Sequence, residues 1–286
     1  MTTKILNKLR KLGMCVVVGV AAGCVSTQTP DLTAAPVVGA TDKTAICIGL
    51  TAVDPAANDG WDGDCPGADV DARGMYDMYV REGFTTYLLL NSSATWVAVR
   101  ARIIEAAATL PTNGLLVITM SSHGGQLPDD NGDEADDLDE VLYLWDGPVR
   151  DDEVVLLLYD FPKPLWVQLI NDQCHAEGNF RAAVRVVQRA ASFGRYGKIT
   201  ARSIVDARDD FKSQVIQFAG CREESYSYGK LSGGTWSQSL LNQRSVSRTR
   251  SGWFSNAKGK MPANQVPVWV EFGPVTDEFR DGLLRE

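Results

Sequence analysis

Two residues that together can carry out nucleophilic chemistry follow two buried-strand patterns in this sequence. His123 comes after the apolar run Leu115–Met120, and Cys174 comes after the apolar run Leu165–Ile170. Neighbouring parallel strands end about 5 Å apart, so we expect the two side chains to face each other across a cleft. An imidazole beside a thiol can accept its proton and leave an attacking thiolate. The pair therefore predicts attack by the Cys174 sulfur on a carbonyl carbon.

The chain offers few alternatives to this pair, because it contains only 2 histidines. The other one, His175, directly follows Cys174, so its side chain should point away from the cleft, and we assign it no catalytic role. Gly124 lets the backbone approach a substrate closely, and its amide is a candidate oxyanion donor. A strand-end cysteine alone is more often a small buried residue, and a lone histidine is more often structural. Their joint occurrence favours catalysis.

Strands alternating with helices are predicted from about residue 43 to the C-terminus. Near-continuous apolar runs suit strands covered on both faces of a parallel sheet. The runs are Ala45–Leu50, Thr85–Leu90, Leu115–Met120, Leu165–Ile170, Val215–Ala219 and Val266–Phe272. Helical patterns occupy Asp69–Glu82, Ala94–Leu110 and Asn179–Phe193. In the second helix Trp96, Val99, Ile103, Ala106 and Leu110 recur at helical spacing and should cover one sheet face. The fold class is therefore α/β.

Composition and charge exclude several classes of protein. The 286 residues are 44% hydrophobic and 22% charged, which excludes a mostly disordered chain. Acids outnumber bases 36 to 28, and the net charge of −8 disfavours a nucleic-acid partner, which needs clustered Lys and Arg. An acidic surface favours cationic partners, either metal ions or substrates that carry Lys or Arg.

The N-terminus is typical of an export signal. Residues 1–24 combine a basic start with the apolar stretch Leu12–Ala22, which is too short to span a ~30 Å hydrocarbon core comfortably. Ala21-Ala22-Gly23-Cys24 resembles the lipobox of bacterial lipoproteins, which predicts a lipid-anchored Cys24 in the cell envelope. Ala21 departs from the usual larger aliphatic residue, so export is better supported than lipidation, and an uncleaved apolar N-terminus is the alternative. Residues 25–42 predict a flexible linker.

The cysteines beyond the signal do not form a scaffold or a zinc site. Four remain, at Cys47, Cys65, Cys174 and Cys221. They are too few for a disulfide-built fold and show no metal-ligand spacing with the histidines.

Several segments of residues 43–275 resemble the caspase-like cysteine peptidases, specifically metacaspases and their bacterial relatives. The segments are Ala45–Gly49, Pro66–Ala72, Ser121–Gln126, Asp172–His175, Ala219–Cys221 and Gly233–Thr235. The resemblance implies a caspase-like fold over 43–286, with a mostly parallel six-stranded sheet flanked by helices on both faces. It also implies peptide-bond hydrolysis through a thioester, with Cys174 as nucleophile and His123 protonating the leaving amine. The amides of Gly124 and Cys174 would hold the oxyanion.

The resemblance also implies cleavage after Arg or Lys, because metacaspases use acidic residues in the primary pocket. Asp71 and Asp172 are acidic here, and Ser121 would be the polar wall. Asp172 shares a strand face with Cys174. The alternatives are a helix N-terminal acid for Asp71 and a strand-end cap for Asp172. Ala68 stands where the family has a pocket cysteine.

Calcium activation is a further implication, since many metacaspases bind calcium through aspartates after the histidine. Asp139, Asp151 and Asp152 are the candidate ligands, although the ligand expected after the nucleophile is missing. The run Asp129–Glu140 is otherwise predicted to be a solvated loop. The chemistry itself requires no cofactor.

The leading hypothesis is an exported cysteine endopeptidase acting on protein or peptide substrates with basic residues. It has no nucleic-acid partner and contacts the membrane only through its lipid anchor. The alternatives are a related His-Gly/Cys peptidase of different specificity and a catalytically silent caspase-like binding module of the envelope.

Overall fold

A six-stranded sheet is the centre of the fold. The computed structural model describes residues 42–128, 137–174, 176, 211–222 and 225–284. The strands are β1 (Lys43–Gly49), β2 (Thr85–Leu90), β3 (Leu115–Ser121), β7 (Trp166–Asp172), β8 (Gln214–Ala219) and β11 (Val268–Phe272). Their order is β11-β8-β7-β3-β1-β2, and every neighbouring pair is parallel except β11 with β8. The mostly parallel six-stranded sheet is thereby confirmed, with each strand on one of the six apolar runs.

Helices cover both faces of this sheet. They are α1 (Ala68–Arg81), α2 (Trp96–Thr109), α3 (Asp151–Tyr159), α4 (Thr235–Gln243), α5 (Arg250–Lys258) and α6 (Asp277–Asp281). Alternate residues of β1 show the two faces. Ile46 and Ile48 join a core with α2 and α3, whereas Ala45 and Cys47 join a second core with α1, α4 and α5. The predicted apolar stripe of α2 lies in the first of these cores.

A second, antiparallel sheet begins directly after His123. It consists of β4 (Gly124–Pro128), β5 (Leu138–Leu144) and β6 (Gly147–Arg150). The end of the acidic run belongs to β5, where Asp139 and Glu140 are each only 1% exposed. The prediction of a solvated loop is therefore wrong for these residues, because strand pairing buries them. Each of the two carboxylates has a polar partner in its buried position. Arg150 pairs with Asp139 at 2.9 Å, and Gln126 donates to Glu140 at 3.0 Å.

A two-residue ladder completes the described strands. β9 (Gly229–Lys230) pairs with β10 (Gly233–Gly234), which leads straight into α4.

Several predictions fall outside the described residues. These are the signal at 1–24 with Cys24, most of the linker at 25–42, the helix Asn179–Phe193, and His175. Among the helices that are described, none is long and apolar enough to cross a bilayer.

Candidate active site

Strand register brings His123 and Cys174 together. Ser121 at the end of β3 pairs with Asp172 at the end of β7. Each of the two candidate catalytic residues lies two positions beyond one of these partners, so both follow the ends of neighbouring strands, which are about 5 Å apart in a sheet. Both line one cavity of about 180 Å³ at the carboxyl edge of the sheet. This is the juxtaposition expected from the sequence.

The His123 ring is held by hydrogen bonding and by aromatic packing. Its Nε2 lies 3.1 Å from the carbonyl oxygen of Asp64. A carbonyl only accepts, so this contact assigns the hydrogen to Nε2 and leaves Nδ1 to exchange a proton. The ring packs against Trp61 with centroids 4.9 Å apart. From β5, the Tyr143 amide donates to the His123 carbonyl at 3.1 Å.

The Cys174 thiol is half-buried and is not a preformed thiolate. Burial raises its pKa above the usual value, and the nearby Asp172 carboxylate acts in the same direction, whereas a hydrogen bond from the Ser227 backbone lowers it. The raised pKa keeps the sulfur protonated at neutral pH. Attack therefore requires a base that removes the proton as the reaction proceeds.

Gly124 is the point where the two strand ends meet. A Cβ at this position would lie 2.1 Å from the carbonyl oxygen of Cys174. Any other residue would push the strand ends apart, so the glycine after His123 has a steric reason in addition to any role of its amide.

Asp71 lies in the first turn of α1 and lines the cavity. The residue is 1% exposed and accepts hydrogen bonds from Ser121 Oγ at 2.8 Å, the Gly234 amide at 2.7 Å and Gln238 Nε2 at 2.8 Å. Burial and the neighbouring Asp172 carboxylate raise its pKa to about 6 against these three bonds. Asp71 is therefore an acid in the first turn of α1 that also lines the cavity, and both interpretations of the residue hold.

Asp172 has two roles in the described structure. Its Oδ2 accepts the Ser237 amide in the first turn of α4 at 2.8 Å, and Ser227 Oγ donates to Oδ1. Asp172 therefore caps the first turn of α4 from the end of β7, which differs from the strand-end cap considered from the sequence, and it also lines the cavity. Burial raises its pKa against these hydrogen bonds.

Gly234 separates the two carboxylates. A Cβ there would lie 2.2 Å from an oxygen of Asp172 and 3.0 Å from an oxygen of Asp71. The hydrogen bonds to the two acids come from hydroxyl groups, a side-chain amide and backbone N–H groups, all of which are neutral. Two buried carboxylates thus share the cavity without a cation from the part of the chain that the structure describes.

The family model of the caspase domain, Peptidase_C14, matches residues 42–268. The chain belongs to this caspase-domain family. The crystal structure of protein GSU0716 from Geobacter sulfurreducens is similar, with a TM-score of 0.69 and 25% sequence identity. The match covers 84% of this chain and 97% of that one. A search of curated proteins found no match. The family supports the caspase-like fold and, in general terms, a cysteine peptidase function.

The three aspartates predicted as calcium ligands are buried in the described structure. Asp139 is paired with Arg150, and Asp151 and Asp152 form the buried first turn of α3 in this caspase-domain protein. Within the described residues no group of three or more His, Cys, Asp or Glu side chains is arranged to hold a metal ion. Residues 129–136 of the acidic run lie outside the described residues, and calcium binding stays a prediction.

Sequence reasoning missed several residues of the site. They are Trp61 and Asp64 beside His123, and Cys65, Ser227, Gly234 and Gln238 around the cavity. Cys65 lines the wall although it does not align with the family's pocket cysteine; burial and nearby Asp172 and Cys174 raise its pKa to about 11. Of these residues, Gly234 had a signal in the sequence, as part of the caspase-like segment Gly233–Thr235.

Proposed function

We propose that this caspase-domain protein is an endopeptidase that cleaves after Arg or Lys, with Cys174 as nucleophile and His123 as base and acid. One observation carries the proposal. The paired ends of β3 and β7 place these two residues on a cavity that contains two buried carboxylates with neutral partners.

The catalytic cycle follows from the two side chains. As Cys174 Sγ attacks the scissile carbonyl carbon, His123 Nδ1 takes the thiol proton and the carbonyl oxygen becomes an oxyanion, which the Gly124 and Cys174 amides stabilise. The carbon–nitrogen bond then breaks, and His123 gives the proton to the leaving amine. Water, deprotonated by His123, next hydrolyses the thioester and restores the thiol.

The carboxylates supply the proposed specificity. A guanidinium or ammonium group entering the cavity would meet Asp71 and Asp172, whose charge is desolvated and has no cationic partner among the described residues. An ion pair formed in such a place is worth far more than one in water. A substrate aspartate would be repelled.

Fluorogenic peptides ending in Arg, Lys, Asp or Ala, assayed with and without calcium, test the proposal. We expect turnover of the Arg and Lys peptides, and its loss in Cys174→Ala. Cys47→Ala is the matched control, since it removes a fully buried thiol from β1 without touching the cavity. Turnover that survives in Cys174→Ala would refute the nucleophile. Specific peptide binding without any turnover would instead support the silent binding module.

We also propose export and lipid anchoring at Cys24, on the sequence pattern of residues 1–24 alone. Radiolabelled fatty acid should be incorporated into the protein in cells and should be lost in Cys24→Ser. A protein that is released from the membrane by salt and carries no label would refute the anchor.

A further inference from the structure

We propose that Trp61 and Tyr143 form a subsite for an apolar side chain on the residue that follows the scissile bond. This inference rests on the proposed peptidase function and adds a second specificity element to it. We call these two rings the aromatic wall.

Trp61 is a large apolar side chain held at the surface beside the catalytic histidine. It is 40% exposed, yet its loop is closed by hydrogen bonds from the Val53 amide to Asp62 at 2.8 Å and from the Trp61 amide to Asn58 at 2.9 Å. Its ring lies 4.9 Å from that of His123 and 4.9 Å from that of Tyr143, with the second contact edge-to-face. The exposed ring is therefore fixed in place, and its accessible surface is available to a ligand.

Tyr143 extends this surface along the backbone after His123. A Cβ on Gly125 would lie 3.2 Å from Tyr143 Cε2, so the absent side chain lets the tyrosine ring approach the β4 backbone. The Tyr143 amide also donates to the His123 carbonyl. The aromatic wall thus runs from Trp61 across His123 toward Gly125.

The position of the wall identifies the part of the substrate that it would meet. The residue before the scissile bond enters the cavity that contains Asp71 and Asp172, and neither ring belongs to the described lining of that cavity. His123 must reach the leaving amine to protonate it, and the next residue of the substrate is attached to that amine. Its side chain therefore passes the His123 ring and meets the aromatic wall.

The charge around Trp61 sharpens the expected preference. Asp59, Asp62 and Asp64 are exposed on the same loop. They would repel an acidic side chain at this subsite, whereas apolar contact with the rings favours Leu or Phe.

Internally quenched peptides that share one Arg and differ only in the next residue test the inference. With the intact protein we expect kcat/KM for Leu or Phe to exceed that for Gly by about five- to tenfold, and Asp to be the poorest. Trp61→Ala should reduce the Leu-to-Gly ratio to about two, and Trp61→Phe should retain most of it. Val97→Ala, which truncates a 75% exposed side chain on α2, is the control and should keep the full ratio.

Three outcomes overturn the inference. The first is equal cleavage of the Leu and Gly peptides by the intact protein. The second is a Trp61→Ala variant that slows all peptides equally, which would make Trp61 only a positioning residue for His123. The third is no cleavage of any Arg peptide, which also removes the proposed function. Calorimetric binding to Cys174→Ala gives a readout without turnover and should show the same Leu preference.

Discussion

Buried acids in two regions of this molecule differ in the charge of their partners. In the antiparallel sheet, Asp139 is 2% exposed at its side chain and has Arg150 at 2.9 Å. At the carboxyl edge of the main sheet, Asp71 and Asp172 are similarly buried, but their hydrogen-bond partners are hydroxyl, amide and backbone groups. The first acid has its counter-charge inside the chain. The second pair has only neutral partners among the described residues, and we propose that a basic substrate residue supplies the counter-charge.

The difference has an energetic consequence. Burial without a nearby cation raises the pKa of a carboxyl group, because its charged form loses the solvation of water. A cation that binds beside it offsets this desolvation cost. The two carboxylates of the proposed pocket therefore destabilise the free protein, and a bound basic substrate would offset that cost. The Asp139 carboxylate, in contrast, is already paired with Arg150.

Removing one pocket charge should cause the largest loss. Asp172→Asn keeps the shape of the side chain, and we expect kcat/KM for an Arg peptide to fall about 100-fold or more, as for a desolvated charge pair. The Ala peptide should lose much less. Equal losses for both peptides would mean that Asp172 matters only as the cap of α4.

Breaking the structural pair should affect stability and leave specificity unchanged. Arg150→Ala leaves the Asp139 carboxylate buried without this partner, and we expect the free energy of unfolding to fall by about 2–3 kcal/mol. Denaturant unfolding measures the change. The ratio of Arg to Lys turnover should stay the same, and a shift in that ratio would connect the two regions.

The pH dependence of cleavage should report Asp71. Its raised pKa of about 6 means that the carboxyl gains a proton as the pH falls through 6, so the pocket loses negative charge. We expect kcat/KM for the Arg peptide to fall about tenfold relative to a citrulline peptide between pH 7 and pH 5. The neutral citrulline peptide corrects for every other titration. Parallel profiles for the two peptides would contradict the assignment.

The same carboxyl should make the fold more stable as the pH falls, whereas it should make cleavage of the Arg peptide slower. A group whose pKa is raised on folding contributes stability below its unfolded pKa near 3.8, and this contribution is lost as the pH rises through about 6. Asp71→Asn should therefore raise the free energy of unfolding at pH 7.5 by about 1 kcal/mol, or roughly 2–4 °C in Tm. The gain should disappear near pH 4. A loss of stability at pH 7.5 would mean that the three hydrogen bonds outweigh the desolvation of the charge.

Much of this arrangement was predictable because the main sheet is buried on both faces. A buried strand must be continuously apolar, which is why Thr85–Leu90 was assigned with its observed bounds. The neighbouring ends of β3 and β7 then followed from chain order, and with them the proximity of His123 to Cys174.

The remainder depended on contacts between distant segments. Strand β5 was not predicted because Asp139 and Glu140 interrupt its apolar pattern. The burial of these two acids depends on Arg150 and Gln126 from other strands. Likewise, the bonds from Gly234 and Gln238 to Asp71 join segments far apart in the chain, which no local periodicity reveals.

We propose that Cys174 acts on a basic residue held by two carboxylates that have only neutral partners among the described residues. The most direct measurement compares kcat/KM for peptides ending in Arg and in citrulline, which have nearly the same shape and differ in charge. We predict at least a 100-fold preference for Arg in the intact protein and no turnover of either peptide by Cys174→Ala. Equal turnover of the two peptides, or activity that survives in Cys174→Ala, would contradict it.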